Sequence, residues 1–236
     1  MRYALFFLLG LVVGAVLAVP GMIFFLRSDA GLSVLRSYVA PQPAWPDITV
    51  AQAASTTEIT NKLAAGSILI GVPKLYATAE YSAAFNGSLR EIALIATSSE
   101  RLVGILSTIN AKSIAREYNG LFDLVAAAKN IITQQKAATA RFSQDLTALA
   151  AANQQTPDVQ TKALTQDLVG KGRTFHGALE AYIASVDAVL SGSIPSAKQI
   201  ADLNANVESA GIKGTDFSNA VKALTARFSG AAGKVQ

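Results

Sequence analysis

The residues able to do chemistry in this chain are few. There is one histidine, His176, and no cysteine. Thiolate nucleophiles and thiolate metal sites are therefore excluded. Glu180 follows His176 by four residues, so a helix would place the two on one face. General acid–base work needs such a group within hydrogen-bond reach of the proton it moves. An i,i+4 pair on an exposed helix face is ordinary, so His176 is assigned no catalytic role. A carboxylate-bridged metal pair in a helical bundle needs Glu-x-x-His motifs from different helices. One histidine cannot supply them. Gly170-x-Gly172, within Leu168-Val-Gly-Lys-Gly-Arg-Thr174, looks like a phosphate-binding turn. Such a turn must follow a strand, and none is expected here. We read these glycines as a flexible or closely packed point in a helix. No catalytic, cofactor-binding or metal-ligating residues are expected, and no enzyme.

Two polar residues call for a different reading. Gln135 and Thr139 fall one turn apart on an apolar helical stripe that also holds Tyr118. Polar side chains at such positions either fix packing register or face solvent where the stripe drifts. Both readings stand on sequence alone.

The elements that carry these residues are helical. Apolar residues recur at alternating spacings of three and four. One series is Ile92, Ile95, Ser99, Leu102, Leu106 and Ile109. A second runs Ile114, Tyr118, Leu121, Val125, Ala128, Ile132, Gln135, Thr139, Phe142, Leu146 and Leu149. A third runs Leu168, Gly172, Phe175, Leu179, Tyr182, Val186 and Val189. Two shorter ones are Ile200, Leu203, Val207 and Phe217, Val221, Leu224, Phe228. This spacing keeps one stripe of a helix against its partners. Ser55-Thr-Thr-Glu58 has capping-box spacing. Pro73, Pro157 and Pro195 stand where helices could begin.

Two Asn-Gly pairs would be hairpin signals if alternating residues flanked them. They do not, so Asn86-Gly87 is expected to break a helix. Asn119-Gly120 is expected to be a weak point inside one long helix of about 111–154, the bundle's central element. Only Ser67–Val72 is conceded as extended. Lys136-Ala-Ala-Thr-Ala-Arg-Phe-Ser143 matches Lys222-Ala-Leu-Thr-Ala-Arg-Phe-Ser229 at all positions but one. The match is either compositional coincidence or one packing solution used by two equivalent helices.

The chain's address is written at its start. Tyr3–Leu26 carries no charge, between Arg2 and Arg27. About 20 apolar residues cross a bilayer core as a helix. A cleaved signal ending at Val16-Leu17-Ala18 is the alternative, but a signal's apolar region is usually about 7–15 residues, and Val19–Leu26 carries this one further. Three of the seven prolines lie at Pro41, Pro43 and Pro46, a stiff spacer.

The net charge of +4 comes from scattered Lys and Arg. The basic patch of a nucleic-acid surface is absent, so no nucleic-acid partner is expected. The expected fold class is all-α: a single N-terminal transmembrane helix, then an antiparallel bundle of long alanine-rich helices. The expected divisions are residues 1–27 as a signal anchor, 28–49 as juxtamembrane segment and Pro-rich linker, and 50–236 as the bundle. The anchor is expected in the inner membrane of a bacterium, with the bundle in the periplasm. The expected function is a scaffold or accessory subunit of an envelope complex, bound to the membrane through residues 3–26 and to other proteins through the bundle, without cofactors. A tethered, sensor-type ligand-binding bundle is the alternative, and a membrane-active toxin a weaker one.

Overall fold

The computed structural model describes residues 61–67, 69–115, 119–191 and 196–232. The expected anchor, the proline-rich linker, the Ser55–Glu58 capping box, Tyr118 and Pro195 lie outside them.

Four long helices follow in chain order: α1 (Ala79–Ala115), α2 (Leu121–Ala152), α3 (Val159–Ser191) and α4 (Ala197–Ala232), with a short 3-10 turn at Asn153–Gln155. No strand occurs among the described residues. Local chemistry sets the starts. The Tyr81 amide donates to Thr78 Oγ1 at the head of α1 (3.3 Å). Asp158 Oδ2 accepts from the Thr161 amide and hydroxyl at the head of α3 (2.8 and 2.6 Å). Ser196 and Gln199 form a reciprocal capping box at α4: the Ser196 amide donates to Gln199 Oε1, and the Gln199 amide to Ser196 Oγ. Each such cap satisfies amides that a helix start leaves open. Pro157 does stand at a helix start. Pro73 instead opens a turn, its carbonyl accepting from the Tyr76 amide (2.9 Å).

Two expectations fail here, in opposite directions. Asn86-Gly87 does not break a helix; it lies inside α1. The apolar register of Tyr81, Phe85, Ile92 and Ile95 runs straight through it, and all four are buried. Asn119-Gly120 does break a helix. Gly120 takes φ 76°, a left-handed conformation open to glycine at no steric cost. Its carbonyl then accepts from the Leu124 amide as α2 begins. The single helix of about 111–154 is therefore the end of α1, a reversal, and α2. Ser67–Val72 forms no helix and no strand over its described residues.

Close backbone approach joins α1 to α2, α2 to α3 and α3 to α4, an up-down-up-down bundle. Each helix lies antiparallel to the one before it. Glu91 on α1 faces Arg141 on α2, Phe142 faces Phe175 on α3, and Ser185 on α3 faces Asn206 on α4. Every residue of the third apolar series is buried on α3. The apolar interior falls into two clusters. One gathers Tyr81, Phe85, Phe142, Leu146, Phe175, Phe217 and Phe228. The other gathers Leu102, Ile132, Ile183, Val186, Leu203 and Val207. Small residues allow the tight approach. A Cβ on Gly172 would meet the Leu146 methyls at 2.8 and 2.9 Å and the Phe217 ring at 3.2 Å.

Ala79–Ile109 is long and apolar enough to cross a membrane, judged by length and composition. Its large apolar side chains lie in the bundle core. Its buried Glu91 is ion-paired to α2.

The chain before α1 completes the fold. Leu63, Ile70, Tyr76 and Ala77 are buried in the first cluster. Tyr76 stacks near Phe228 of α4, with ring centres 6.4 Å apart, while Ile70 bonds to Asn86 of α1. Residues 61–78 thus cover the seam between the first and last helices.

Candidate functional site

Three polar constellations are built into the bundle. The first lies between α1 and α2. Gly87 and Glu91 stand one turn apart on α1, opposite Asp145 and Arg141, one turn apart on α2. The Glu91 side chain is 1% exposed. Its Oε2 accepts from Arg141 Nε (2.9 Å), and its Oε1 from Arg90 Nη2 and Nε (3.1 and 3.3 Å). The absence of a side chain at Gly87 admits Asp145, whose Oδ2 would lie 2.7 Å from any Cβ there. Burial, and then the neighbouring Glu91 charge, push the Asp145 carboxyl above its usual range; Arg90 and Arg141 oppose that push. Two carboxylates and two guanidiniums therefore offset one another. The cluster ties α1 to α2 through the Glu91–Arg141 pair and so constrains the register of the two helices.

The second constellation separates the two apolar clusters. Gln135 and Thr139 are both buried, which settles the alternative left open above in favour of the interior. Gln135 Nε2 donates to Ser99 Oγ across the α1–α2 interface (2.9 Å). Gln135 Oε1 and Thr139 Oγ1 have no hydrogen-bond partner among the described residues.

The third joins α3, α4 and the segment before α1. Arg227 Nη2 and Nε donate to Asp158 Oδ1 and Oδ2 (2.9 and 3.2 Å). The same guanidinium lies 4.8 Å above the Tyr76 ring, a cation–π contact. The Arg227 hydrogen bonds, and then that of Thr161, hold the Asp158 carboxyl down at about 2. Nearby, Tyr81 and Thr165 share a hydrogen bond of 2.5 Å between α1 and α3.

The residues weighed on sequence fall as follows. His176 is partly buried, its Nδ1 3.5 Å from Glu180 Oε2 on the same helix, and Glu180 is largely exposed. Gly172 is a closely packed point against α2 and α4, whereas Gly170 has open space around it. No group of three metal-ligating side chains occurs among the described residues. The sequence reading missed Asn86, Asp158, Arg227 and the Glu91 cluster. One signal was present: both copies of the eight-residue match carry an arginine before a phenylalanine. Arg141 and Arg227 both reach carboxylates outside their own helix, and Phe142 and Phe228 both sit in ring clusters. The two copies occupy the second helix of each hairpin, with different partners.

No protein-family model matches the chain, and neither a curated protein nor a solved structure matches it.

Proposed function

We propose that the protein is a single-pass, membrane-anchored helical scaffold or accessory subunit that acts through protein–protein contacts. Residues 3–26 hold it in the inner membrane, and the bundle stands in the periplasm as part of an envelope complex. The observation that carries this reading is the pairing of an uncharged 24-residue stretch at the start of the sequence with a bundle whose polar interior groups serve helix pairing. The surface supports it as well. Phe122 is 90% exposed at the α1–α2 reversal. Val159 is 81% and Leu75 70% exposed at the opposite end. At about 1.5 Å per residue, the helices hold those ends roughly 50 Å apart. Isolated exposed apolar side chains are common, but at the two ends of a rod they give a scaffold two separate places to be gripped.

The test is isolation of the tagged full-length protein from its native membrane, with identification of what accompanies it. A reproducible set of envelope proteins in amounts comparable to the bait is expected, with residues 1–27 still present by mass spectrometry. A mature N-terminus at Val19, or a bait that comes out alone from intact membranes, overturns the proposal.

A further inference from the structure

We infer that the α2–α3 reversal is built around one internal water molecule, held by the side-chain oxygens of Asn153 and Thr156. Both residues stand in the short stretch that turns the end of α2 back into α3. Asn153 is 1% exposed and Thr156 6%. Asn153 Oδ1 and Thr156 Oγ1 have no hydrogen-bond partner among the described residues. Buried polar atoms are nearly always hydrogen-bonded, to protein or to ordered water. The reason is energetic: taking such an atom out of water without a replacement partner is costly.

The other polar groups of the turn are already engaged, which narrows what can serve these two oxygens. The Thr156 amide donates to the Asn153 carbonyl (3.2 Å), so the two side chains leave opposite ends of one turn. Asn153 Nδ2 donates to the Lys162 carbonyl on α3 (3.0 Å). Lys162 Nζ donates to the Gln154 carbonyl (3.0 Å). Asp158, the one carboxylate of the stretch, is taken by Arg227 and Thr161. Divalent cations prefer about six oxygen ligands, carboxylates among them, so a cation is a poor match. Asn153 Oδ1 can only accept, whereas the Thr156 hydroxyl both donates and accepts. A water molecule has two donors and can also accept. It can donate to Asn153 Oδ1 and exchange a second hydrogen bond with Thr156 Oγ1. Internal waters serve such groups in folded proteins, typically through about three hydrogen bonds. The place suits water too. Gln154, Gln155 and Pro157 beside the site are exposed, so the path from solvent is short. Thr139, whose hydroxyl is also unpartnered, lies instead within α2 between Ile132 and Phe142 of the two apolar clusters. By fixing the Asn153 carboxamide, the water keeps Nδ2 on the Lys162 carbonyl and ties the end of α2 to the start of α3.

The experiment compares the full-length protein with Thr156→Val, which keeps the shape and removes the hydroxyl, and Thr156→Ser, which keeps the hydroxyl. A crystal structure of the unsubstituted protein, at a resolution that orders waters, should show one water within about 3 Å of both Asn153 Oδ1 and Thr156 Oγ1. In solution, oxygen-17 relaxation dispersion counts long-lived internal waters. Thr156→Val should lose one relative to the unsubstituted protein, and Thr156→Ser should lose none. Circular dichroism verifies that each variant is folded, and the crystal structure decides alone if Thr156→Val is not. Both oxygens left bare overturns the inference. So does Asn153 Oδ1 bonded by Lys162 Nζ or by a side chain from residues 1–60, and so does the same count of waters in all three proteins.

Discussion

Glu91 brings a carboxylate into an almost fully buried place, and two arginines make that tolerable. Removing one partner of a buried pair leaves a charge without compensation. Arg90 remains when Arg141 is lost, and both arginines are about half exposed, so the effect is well below that of a fully buried pair. Arg141→Ala should lower stability by about 2 kcal/mol, and Glu91→Gln should cost less, measured by denaturant titration. A larger loss from Glu91→Gln, which keeps the shape and removes the charge, would mean that the carboxylate charge decides this site. Asp158 is a second charged residue with a measurable signature. Its carboxyl is held at about 2, against about 3.9 in an unfolded chain. The unfolded chain therefore takes up a proton first on acidification. The stabilisation is complete above about pH 4 and is lost as pH falls toward 2. Asp158→Asn should flatten that part of the stability–pH curve. Thr139 has the opposite character. Its buried hydroxyl has no partner among the described residues, so isosteric Thr139→Val should raise stability by about 1 kcal/mol; a fall in melting temperature would show that the hydroxyl is in fact satisfied. These residues were legible in part. The stripe placed Gln135 and Thr139 on the core side or its edge. The pairings of Glu91 and Asp158 depend on which helices become neighbours, and local spacing does not encode that.

At the scale of the element, the two glycine-containing pairs show what periodicity can and cannot decide. Both Asn119-Gly120 and Asn86-Gly87 are bracketed by apolar residues in helical register. Register alone would continue both helices. What separates them is tertiary: Asn86 has a backbone to hold, and Gly87 admits Asp145, whereas a Cβ at Gly120 would meet nothing within 4 Å, and its left-handed φ of 76° reverses the chain. The third apolar series was read correctly throughout because α3 packs on its neighbours along its whole length. Two glycines on that helix give a paired prediction. Gly177 has open space where a Cβ would go, so Gly177→Ala should stabilise by up to about 1 kcal/mol through helix propensity. Gly172→Ala must displace Leu146 and Phe217, and overpacking of this kind costs about 1–3 kcal/mol. Melting temperatures of the two variants should move in opposite directions; a shift of the same sign would mean that the α2–α3 contact yields easily. Phe142, fully buried and 5.4 Å from the Phe217 ring centre, anchors the same contact from α2. Truncation of a buried Phe to Ala costs about 3–5 kcal/mol, so Phe142→Ala should lower the melting temperature by roughly 10 °C.

For the whole molecule, the backbone closely joins helices that are consecutive in the chain, while α1 and α4 meet through side chains such as Tyr81, Phe85 and Phe228. Both short reversals can form early, because the loops they close are brief and the entropy lost is small. The α1–α4 seam is different, since closing it brings together residues more than a hundred positions apart. A bundle so wired has few distant contacts for its length, and such topologies fold quickly. The seam is the slow exception, and the segment that seals it lies ahead of both hairpins in the order of synthesis. A nascent chain therefore carries Tyr76 for the whole time needed to make α4, while Phe228 and Arg227, its partners there, do not yet exist.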